Sequence, residues 1–199
     1  MSLTLKENRG GGNFQIAPAG NHLGICYQMV ELGQLYDAKY DKYSPKVLLG
    51  FELPNETMED GRPFIVSRRM TSSLNDNATM RKLLESWRGK PFSAVEGDKF
   101  ELKNVLGKPC MVNVVHVERD GNTYANITSI TPVPKGMDVP ELQNQIQYFE
   151  FGDQGFDEEA FNALSDGLKK IIYESKDYQM LTNNNKLASA EELSDDIPF

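Results

Sequence analysis

Five β-rich segments and one amphipathic helix, placed between the third and fourth segments, constrain the fold of this chain more than any other feature. The apolar positions of the helix recur at helical spacing, and Gly89 and Pro91 end it. Asp120-Gly121, between the last two β-rich segments, is a strong hairpin signal. The helical stripe consists of Met80, Leu83, Leu84 and Trp87, with Asp76 and Asn77 as candidate caps. The five predicted strands cover residues 20–35, 46–53, 63–70, 110–117 and 123–131.

This β-β-β-α-β-β order is the arrangement of the OB-fold, a small Greek-key barrel that binds oligonucleotides. We therefore predict a mainly β protein with an OB-fold-like five-stranded barrel and a helix between strands 3 and 4. Spacing and residue type do not separate this fold from other small β-barrels. A fold alone also does not fix a function.

Composition divides the chain into four parts. Residues 1–19 are polar and Gly-rich, which predicts a flexible N-terminal arm, and residues 20–135 form the predicted OB-like domain. Residues 136–180 hold a linker and an accessory helix from Asp157 to about Tyr173. Residues 181–199 have too little apolar mass to order, which predicts a disordered acidic tail. The apolar stripe of the accessory helix is Phe161, Leu164, Leu168, Ile171 and Ile172, and Phe156 with Phe161 suits a hydrophobic staple.

Charge is distributed unevenly along the chain. The formal net charge of -8 is unexpected for a nucleic-acid binder, because neutralising phosphates requires Lys and Arg. Residues 1–135, however, hold 17 basic and 15 acidic side chains, whereas residues 136–199 hold 4 and 14. The first part can therefore present a basic groove while the second supplies a polyanion.

The chain ends in Asp195, Asp196, Ile197, Pro198 and Phe199, an apolar hook behind acidic residues. This ending resembles the acidic tip of bacterial and bacteriophage single-stranded DNA-binding proteins. The resemblance implies that these five residues bind replication and repair proteins. The alternative is a tail that only increases solubility.

The body of the chain resembles a group of phage replication-module proteins. The resemblance spans about residues 20–136 and rests on the motifs at residues 49–54, 67–69, 84–89 and 124–127. These motifs are not those of the bacterial single-stranded DNA-binding family. That family's binding residues are therefore not transferred to this chain, and only the tip is.

Non-specific binding of a single strand needs cations that follow the phosphates and flat side chains on which bases stack. A Tyr- and Lys-rich segment between strands 1 and 2 is predicted to be a mobile loop over the bound strand; the alternative is a solvated loop. Phe51 can equally stack or fill the core, and only one of Arg68 and Arg69 can face a groove. The predicted DNA-binding residues are Tyr36, Lys39, Tyr40, Lys42, Tyr43, Lys46, Phe51, Arg68, Arg69, Arg88, Lys90, Tyr124 and Asn126.

No enzymatic or metal site is indicated. The phosphate-binding pattern Gly-x-x-x-x-Gly-Lys-Ser/Thr is absent, and two histidines with two cysteines give no credible triad. A zinc site from both pairs is disfavoured, because His22 and Cys26 on one extended strand would lie roughly 13 Å apart. Cys26 and Cys110 are predicted to be reduced, half-buried thiols, and we expect no cofactor.

The sequence thus predicts a sequence-non-specific single-stranded DNA-binding protein of phage replication or recombination. The alternatives are a replisome interaction module with little DNA affinity and an inactive remnant of a nuclease. No apolar run is long enough to span a membrane, and the start lacks an export signal, so we expect the host cytoplasm. A homodimer through the accessory helix or a barrel edge is compatible with the sequence.

Overall fold

The computed structural model describes residues 15–38, 40–152 and 155–183. Lys39 and the five predicted tip residues, Asp195, Asp196, Ile197, Pro198 and Phe199, lie outside these ranges. The strands are β1 (Gly20–Asp37), β2 (Lys42–Thr57), β3 (Pro63–Thr71), β4 (Pro109–Arg119), β5 (Asn122–Thr131), β6 (Gln147–Phe149), β7 (Phe151–Gly152) and β8 (Gly155–Phe156). The helices are α1 (Thr79–Arg88), α2 (Ala94–Asp98), α3 (Glu158–Asn162) and α4 (Asp166–Tyr173), with a 3-10 turn at Leu102–Val105 and a further helical stretch over residues 176–183.

An antiparallel sheet in the order β3-β2-β1-β4-β5 organises the protein, and β6 joins β1 in parallel. The predicted β-β-β-α-β-β order is confirmed, since α1 lies between β3 and β4 in the chain. The sheet is open: within the described ranges its two edges, β3 and β5, do not pair. A side chain nevertheless links these edges, because Arg68 Nη1 on β3 donates to the carbonyl of Thr128 on β5 at 3.3 Å.

The β1–β2 hairpin is longer than predicted. Residues 36–45 were expected to form a loop, but strand pairing continues to Asp37 opposite Lys42. Tyr36 faces Tyr43 across the strands with ring centroids 5.5 Å apart, and such cross-strand aromatic pairs stabilise a hairpin. We call the strand ends and turn that carry Tyr36, Tyr40 and Tyr43 the tyrosine hairpin. Tyr36, Lys42 and Tyr43, which were predicted to lie in a mobile loop, therefore belong to paired strands, and Tyr40 lies in the turn.

One face of the sheet packs against α1. The apolar stripe predicted for this helix is buried, as expected from its period, and Gly89 ends the helix in the left-handed conformation. Trp87 packs against Phe51 with ring centroids 5.6 Å apart and donates its indole N–H to the carbonyl of Pro109 at 3.0 Å. The predicted caps are wrong, because Ala78 is the N-cap and no side chain caps the helix.

The opposite face of β1 and β2 is covered by residues 141–152 and 155–183, which we call the C-terminal module. Val30, Leu32 and Leu48 form a second core with side chains of this module. The predicted linker thus contributes a strand, β6, and the predicted accessory helix is divided into α3 and α4. The division occurs where Ser165 adopts an extended conformation, with φ -65 and ψ 153. The module's buried side chains in this core are Phe149, Phe161, Leu164 and Ile172.

The limits of the C-terminal module follow the sequence in one respect and depart from it in another. Asp157 caps α3 as predicted, accepting the backbone N–H of Ala160 at 2.9 Å. The predicted tail, however, begins at residue 181, whereas residues 181–183 continue the helical stretch that starts at Lys176. Residues 184–199 lie outside the described ranges.

Two carboxylates of the sheet fasten the C-terminal module. Glu52 on β2 is fully buried and accepts from the backbone N–H groups of Gln143 and Asn144 at 2.9 and 2.8 Å. The side-chain amide of Asn144 also donates to Glu52, at 2.6 Å. Glu31 on β1 accepts from the backbone N–H of Phe151 at 2.9 Å. Hydrogen bonds of this kind explain how a carboxylate is tolerated inside the protein.

None of the helices in the described ranges is both long and apolar enough to cross a membrane.

Candidate nucleic-acid interface

The tyrosine hairpin presents flat aromatic surfaces to solvent. Tyr36, Tyr40 and Tyr43 are 54%, 59% and 50% exposed, whereas most aromatic area of a protein is buried. The hydroxyl of Tyr36 donates to Asp41 at 2.5 Å, and this hydrogen bond raises the pKa of Tyr36 above its ordinary value of 10.0. Tyr36 therefore stays a neutral phenol at physiological pH. Neutral aromatic faces of this kind can stack on nucleobases.

Cations lie beside these aromatic faces. Lys42 Nζ is 5.8 Å from the ring centroid of Tyr40, and Lys176 Nζ is 5.3 Å from that of Tyr43. Lys46 is more constrained, because its Nζ donates to Thr71 at 2.9 Å and lies 3.5 Å from a carboxylate oxygen of Asp37. The hairpin therefore combines stacking surfaces with positively charged side chains. The charge of Lys46 is partly neutralised by Asp37.

Two concavities follow one another along β3. One, of about 710 Å³, lies between β3 and the beginning of β5, and the other, of about 610 Å³, lies towards the end of β3. We call the two together the β3 groove. The nine residues of β3 span about 30 Å, so the groove connects the β4–β5 turn to the base of the tyrosine hairpin. Its main polar and aromatic lining residues are Ser67, Asn122, Tyr124, Lys46, Arg68 and Arg69.

Arg68 and Arg69 differ in their surroundings, but both line the β3 groove, although strand alternation predicted that only one of them would face a groove. Arg69 is exposed, whereas Arg68 is half-buried at the gap between β3 and β5. Burial lowers the pKa of Arg68 below its ordinary value of 12.5. No carboxylate in the described part of the chain forms an ion pair with Arg68. Both guanidinium groups line the groove and suit phosphate oxygens.

Several predicted binding residues lie elsewhere. Phe51 is fully buried against Trp87, so it offers no face to a base. Arg88, the last residue of α1, and Lys90, just beyond the helix, both pair with Glu96, at 2.8 and 3.3 Å. Hydrogen bonds from the Ser93 backbone, then from Arg88 and Lys90, lower the pKa of Glu96 to about 2. These two cations are therefore already engaged within the protein.

Tyr124 and Asn126 on β5 are separated by the structure. Tyr124 is 48% exposed and lines the β3 groove, whereas Asn126 is half-buried opposite Val115 and does not line it.

The sequence analysis did not identify Ile65 and Ser67, which also line the β3 groove. Their alternation with the buried Val66 could have placed them on the exposed face of β3. Lys176 had no sequence signal, because its position beside Tyr43 depends on the packing of the C-terminal module.

The cysteines and histidines occupy other places. Cys26 and Cys110 are free thiols that are fully rather than half buried, and burial raises the pKa of Cys26 to about 12. His22 hydrogen-bonds to Glu56 and to the carbonyl of Pro18, at 3.0 and 2.9 Å. His116 hydrogen-bonds to the carbonyl of Ala17, at 2.8 Å. Within the described ranges, no group of three or more such side chains is arranged to hold a metal ion.

Fold and surface together define a mainly β protein whose open antiparallel sheet carries an exposed aromatic hairpin and a groove with arginine and lysine side chains. No protein-family model matches the chain, and no curated protein matches it either.

Proposed function

We propose that this protein binds single-stranded DNA without sequence preference, through the tyrosine hairpin and the β3 groove. The observation that carries the proposal is the hairpin itself, where three tyrosines expose about half of their surface beside lysine side chains. Stacking of a base on an aromatic side chain contributes about 1 to 3 kcal/mol. Three such rings and the adjacent cations supply the two elements that non-specific binding requires.

The strand order supports an OB-fold-like barrel. A sheet in the order β3-β2-β1-β4-β5 becomes a five-stranded barrel when its two edges approach each other, and Arg68 already spans these edges to Thr128. In the OB-fold, the loops between strands 1 and 2 and between strands 4 and 5 contact oligonucleotides. The tyrosine hairpin and the β4–β5 turn occupy these two places here, at opposite ends of the β3 groove.

The chemistry of the site favours phosphate and base-face contacts over base-edge recognition. Lys42, Arg68 and Arg69 suit phosphates, which carry no sequence information. The tyrosines offer faces, and every base has a face to stack on them. The proposed ligand is therefore single-stranded DNA of any sequence.

The proposed biological role is to coat strands exposed during phage replication or recombination and to recruit partner proteins. The second part of this role rests on the tip, Asp195 to Phe199, whose acids would pair with basic residues while its apolar residues fill a pocket. The proposal includes no enzymatic activity and no cofactor. It places the protein in the cytoplasm of the host cell.

A second candidate is a replisome interaction module with little DNA affinity of its own. It is favoured by the C-terminal module, which covers Val30, Leu32 and Leu48 on the outer face of β1 and β2. OB-folds commonly bind oligonucleotides on the face of strands 2 and 3. Part of that face is closed here, so the open area is limited to β3 and the two turns.

A titration with labelled oligo-dT at low and high salt distinguishes the two candidates. A protein that coats DNA binds oligo-dT and weakens steeply as salt rises. Fluorescence anisotropy of labelled DNA is the appropriate measurement, because Trp87 is buried and reports folding instead. Absence of binding in dilute buffer would reject the DNA-binding proposal and leave the interaction module.

Variants of Tyr40 test the stacking role directly. Tyr40→Ala removes the most exposed of the three rings, whereas the matched control Tyr40→Phe keeps the ring and loses only the hydroxyl. We expect Tyr40→Ala to weaken oligo-dT binding roughly tenfold, the loss of one stacked base. Tyr40→Phe should bind like the wild type. Equal affinities for Tyr40→Ala and Tyr40→Phe would remove this ring from the site.

A further inference from the structure

Lys176 lies beside the tyrosine hairpin although it belongs to the acidic part of the chain. Its Nζ is 5.3 Å from the centroid of the Tyr43 ring, and its side chain is exposed. Residues 136–199 contain only four basic side chains against 14 acidic ones. The packing of the C-terminal module thus brings one of its few cations to the aromatic surface of the sheet.

The turn that carries Lys176 is firmly seated on β1. The carboxylate of Asp177 accepts the backbone N–H of Gln34 at 2.5 Å, and Ser175 is fully buried. Gly33 has a positive φ of 74°, and a Cβ atom there would lie 2.8 Å from the Asp177 carboxylate and 2.9 Å from the Ser175 Cβ. This close approach fixes residues 175–177 at the base of the tyrosine hairpin.

Helix stability does not explain a lysine at this position. Residue 176 begins the helical stretch 176–183, and the Ser175 hydroxyl accepts the N–H of Tyr178 as a cap at 3.2 Å. A cation in the first turn is opposed by the helix dipole, which favours acidic side chains such as that of Asp177. The interaction in the structure that favours a lysine at this position is therefore its contact with the ring of Tyr43.

We propose that Lys176 is a phosphate-binding residue of the single-stranded DNA site and that the turn at Ser175 and Asp177 positions it. A nucleotide whose base stacks on Tyr43 has its phosphate within reach of this long, flexible ammonium group. The C-terminal module thereby forms part of the binding site instead of only covering the sheet. This inference rests on the proposed function, and it names a residue outside the predicted barrel.

The test compares Lys176→Ala with Lys170→Ala in the full-length chain. Both variants remove one positive charge from the same module, but Lys170 is exposed on α4 and contacts no aromatic ring among the described residues. We expect Lys176→Ala to weaken binding of labelled oligo-dT several-fold and to reduce the slope of log K against log salt by about 0.7. Lys170→Ala should match the wild type in both quantities.

Two further measurements separate the binding role from a structural one. The thermal stability of Lys176→Ala should stay close to that of the wild type, because losing the contact with the Tyr43 ring and removing a cation from the first helical turn have opposite effects of similar size. Lys176→Arg keeps the charge and should restore the salt slope. If the wild type binds oligo-dT and Lys176→Ala has the same affinity as Lys170→Ala, whether or not both are weaker than the wild type, the inference is wrong while the proposed function stands. A wild type that does not bind rejects both.

Discussion

Gly33 is the residue of β1 at which the C-terminal module approaches the strand closely enough to exclude a side chain. It lies at an irregularity in the β1–β2 register, between Glu31 and Gly33, and its φ of 74° is in the left-handed region that glycine adopts without strain. A side chain there would collide with Ser175 and Asp177. The one missing side chain thus permits both the bend of the strand and the seating of the turn that carries Lys176.

Glu31 makes stability depend on pH. Burial raises its pKa above the ordinary value of 4.5, and Asp177 and Glu150 act in the same direction, against the hydrogen bond from the Phe151 N–H. The folded state therefore holds this proton more strongly than the unfolded state. Stability contributed by Glu31 is consequently lost as pH rises from about 4.5 through the raised value.

Glu31→Gln removes this dependence while its amide oxygen can still accept from Phe151. We expect the variant to melt a few degrees above the wild type at pH 8 and at nearly the same temperature near pH 4, where the glutamate is mostly protonated in both states. Thermal unfolding followed by circular dichroism at the two pH values measures the difference. Glu118→Gln, on an exposed position of β4, is the control and should change neither value. A Glu31→Gln protein less stable than the wild type at pH 8 would contradict the argument.

At the scale of elements, the C-terminal module depends on Glu52 for its attachment to β2. Glu52→Ala would remove the acceptor of three hydrogen bonds, two from the backbone N–H groups of Gln143 and Asn144 and one from the Asn144 side-chain amide. A hydrogen bond to a charged group contributes about 1.5 to 3 kcal/mol to stability. We expect Glu52→Ala to lower the free energy of unfolding by at least about 2 kcal/mol, measured by urea denaturation.

Limited proteolysis locates the effect of the Glu52 change. If Glu52 fastens the module, cleavage in the variant should begin near residues 141–146, where the freed backbone becomes accessible. Glu118→Ala removes an exposed carboxylate from β4 and should stay within about 0.5 kcal/mol of the wild type. A Glu52→Ala protein with unchanged stability would show that the module is held by its apolar contacts alone.

The elements differ in how far the sequence predicts them. Strand order and α1 follow from local signals, because the period of Met80, Leu83, Leu84 and Trp87 specifies a helix whatever surrounds it. The prediction of a loop at the end of the β1–β2 hairpin was wrong, because the pairing there depends on contacts between the two strands, such as that of Tyr36 with Tyr43. The division of the accessory helix at Ser165 also escaped prediction, because an apolar stripe does not reveal a break that packing imposes.

At the scale of the whole molecule, packing decides which charged side chains lie beside the tyrosine hairpin. All of the acidic excess lies in residues 136–199, yet part of this segment packs beside the tyrosine hairpin and brings Lys176 with it. The described acidic residues of the segment include Asp177, which is engaged with the backbone of Gln34. Net charge along the sequence is therefore a poor guide to the charge at the proposed binding surface.

Deleting residues 194–199 tests the division between DNA binding and partner binding. The deletion removes two acidic side chains, Asp195 and Asp196, that repel phosphates, so affinity for oligo-dT should be equal or higher. Binding of replication or repair proteins through the tip should be lost. Replacing only Ile197, Pro198 and Phe199 by alanine keeps the charge and should abolish partner binding without changing DNA affinity. A large loss of DNA affinity after the deletion would show that the tip is not a segment that only binds partner proteins.

The sequence by itself determined the strand order, the position and apolar face of α1, and the clustering of tyrosine and lysine between the first two strands. These features arise from local periodicity and turn chemistry, which neighbouring residues specify. Only the tertiary structure decided that Phe51 is buried, that Arg88 and Lys90 pair with Glu96, and that Lys176 reaches Tyr43. The burial of Phe51 and the contact of Lys176 with Tyr43 depend on residues distant in the chain. Arg88 and Lys90 meet Glu96 across the break between α1 and α2, which a helical period does not describe.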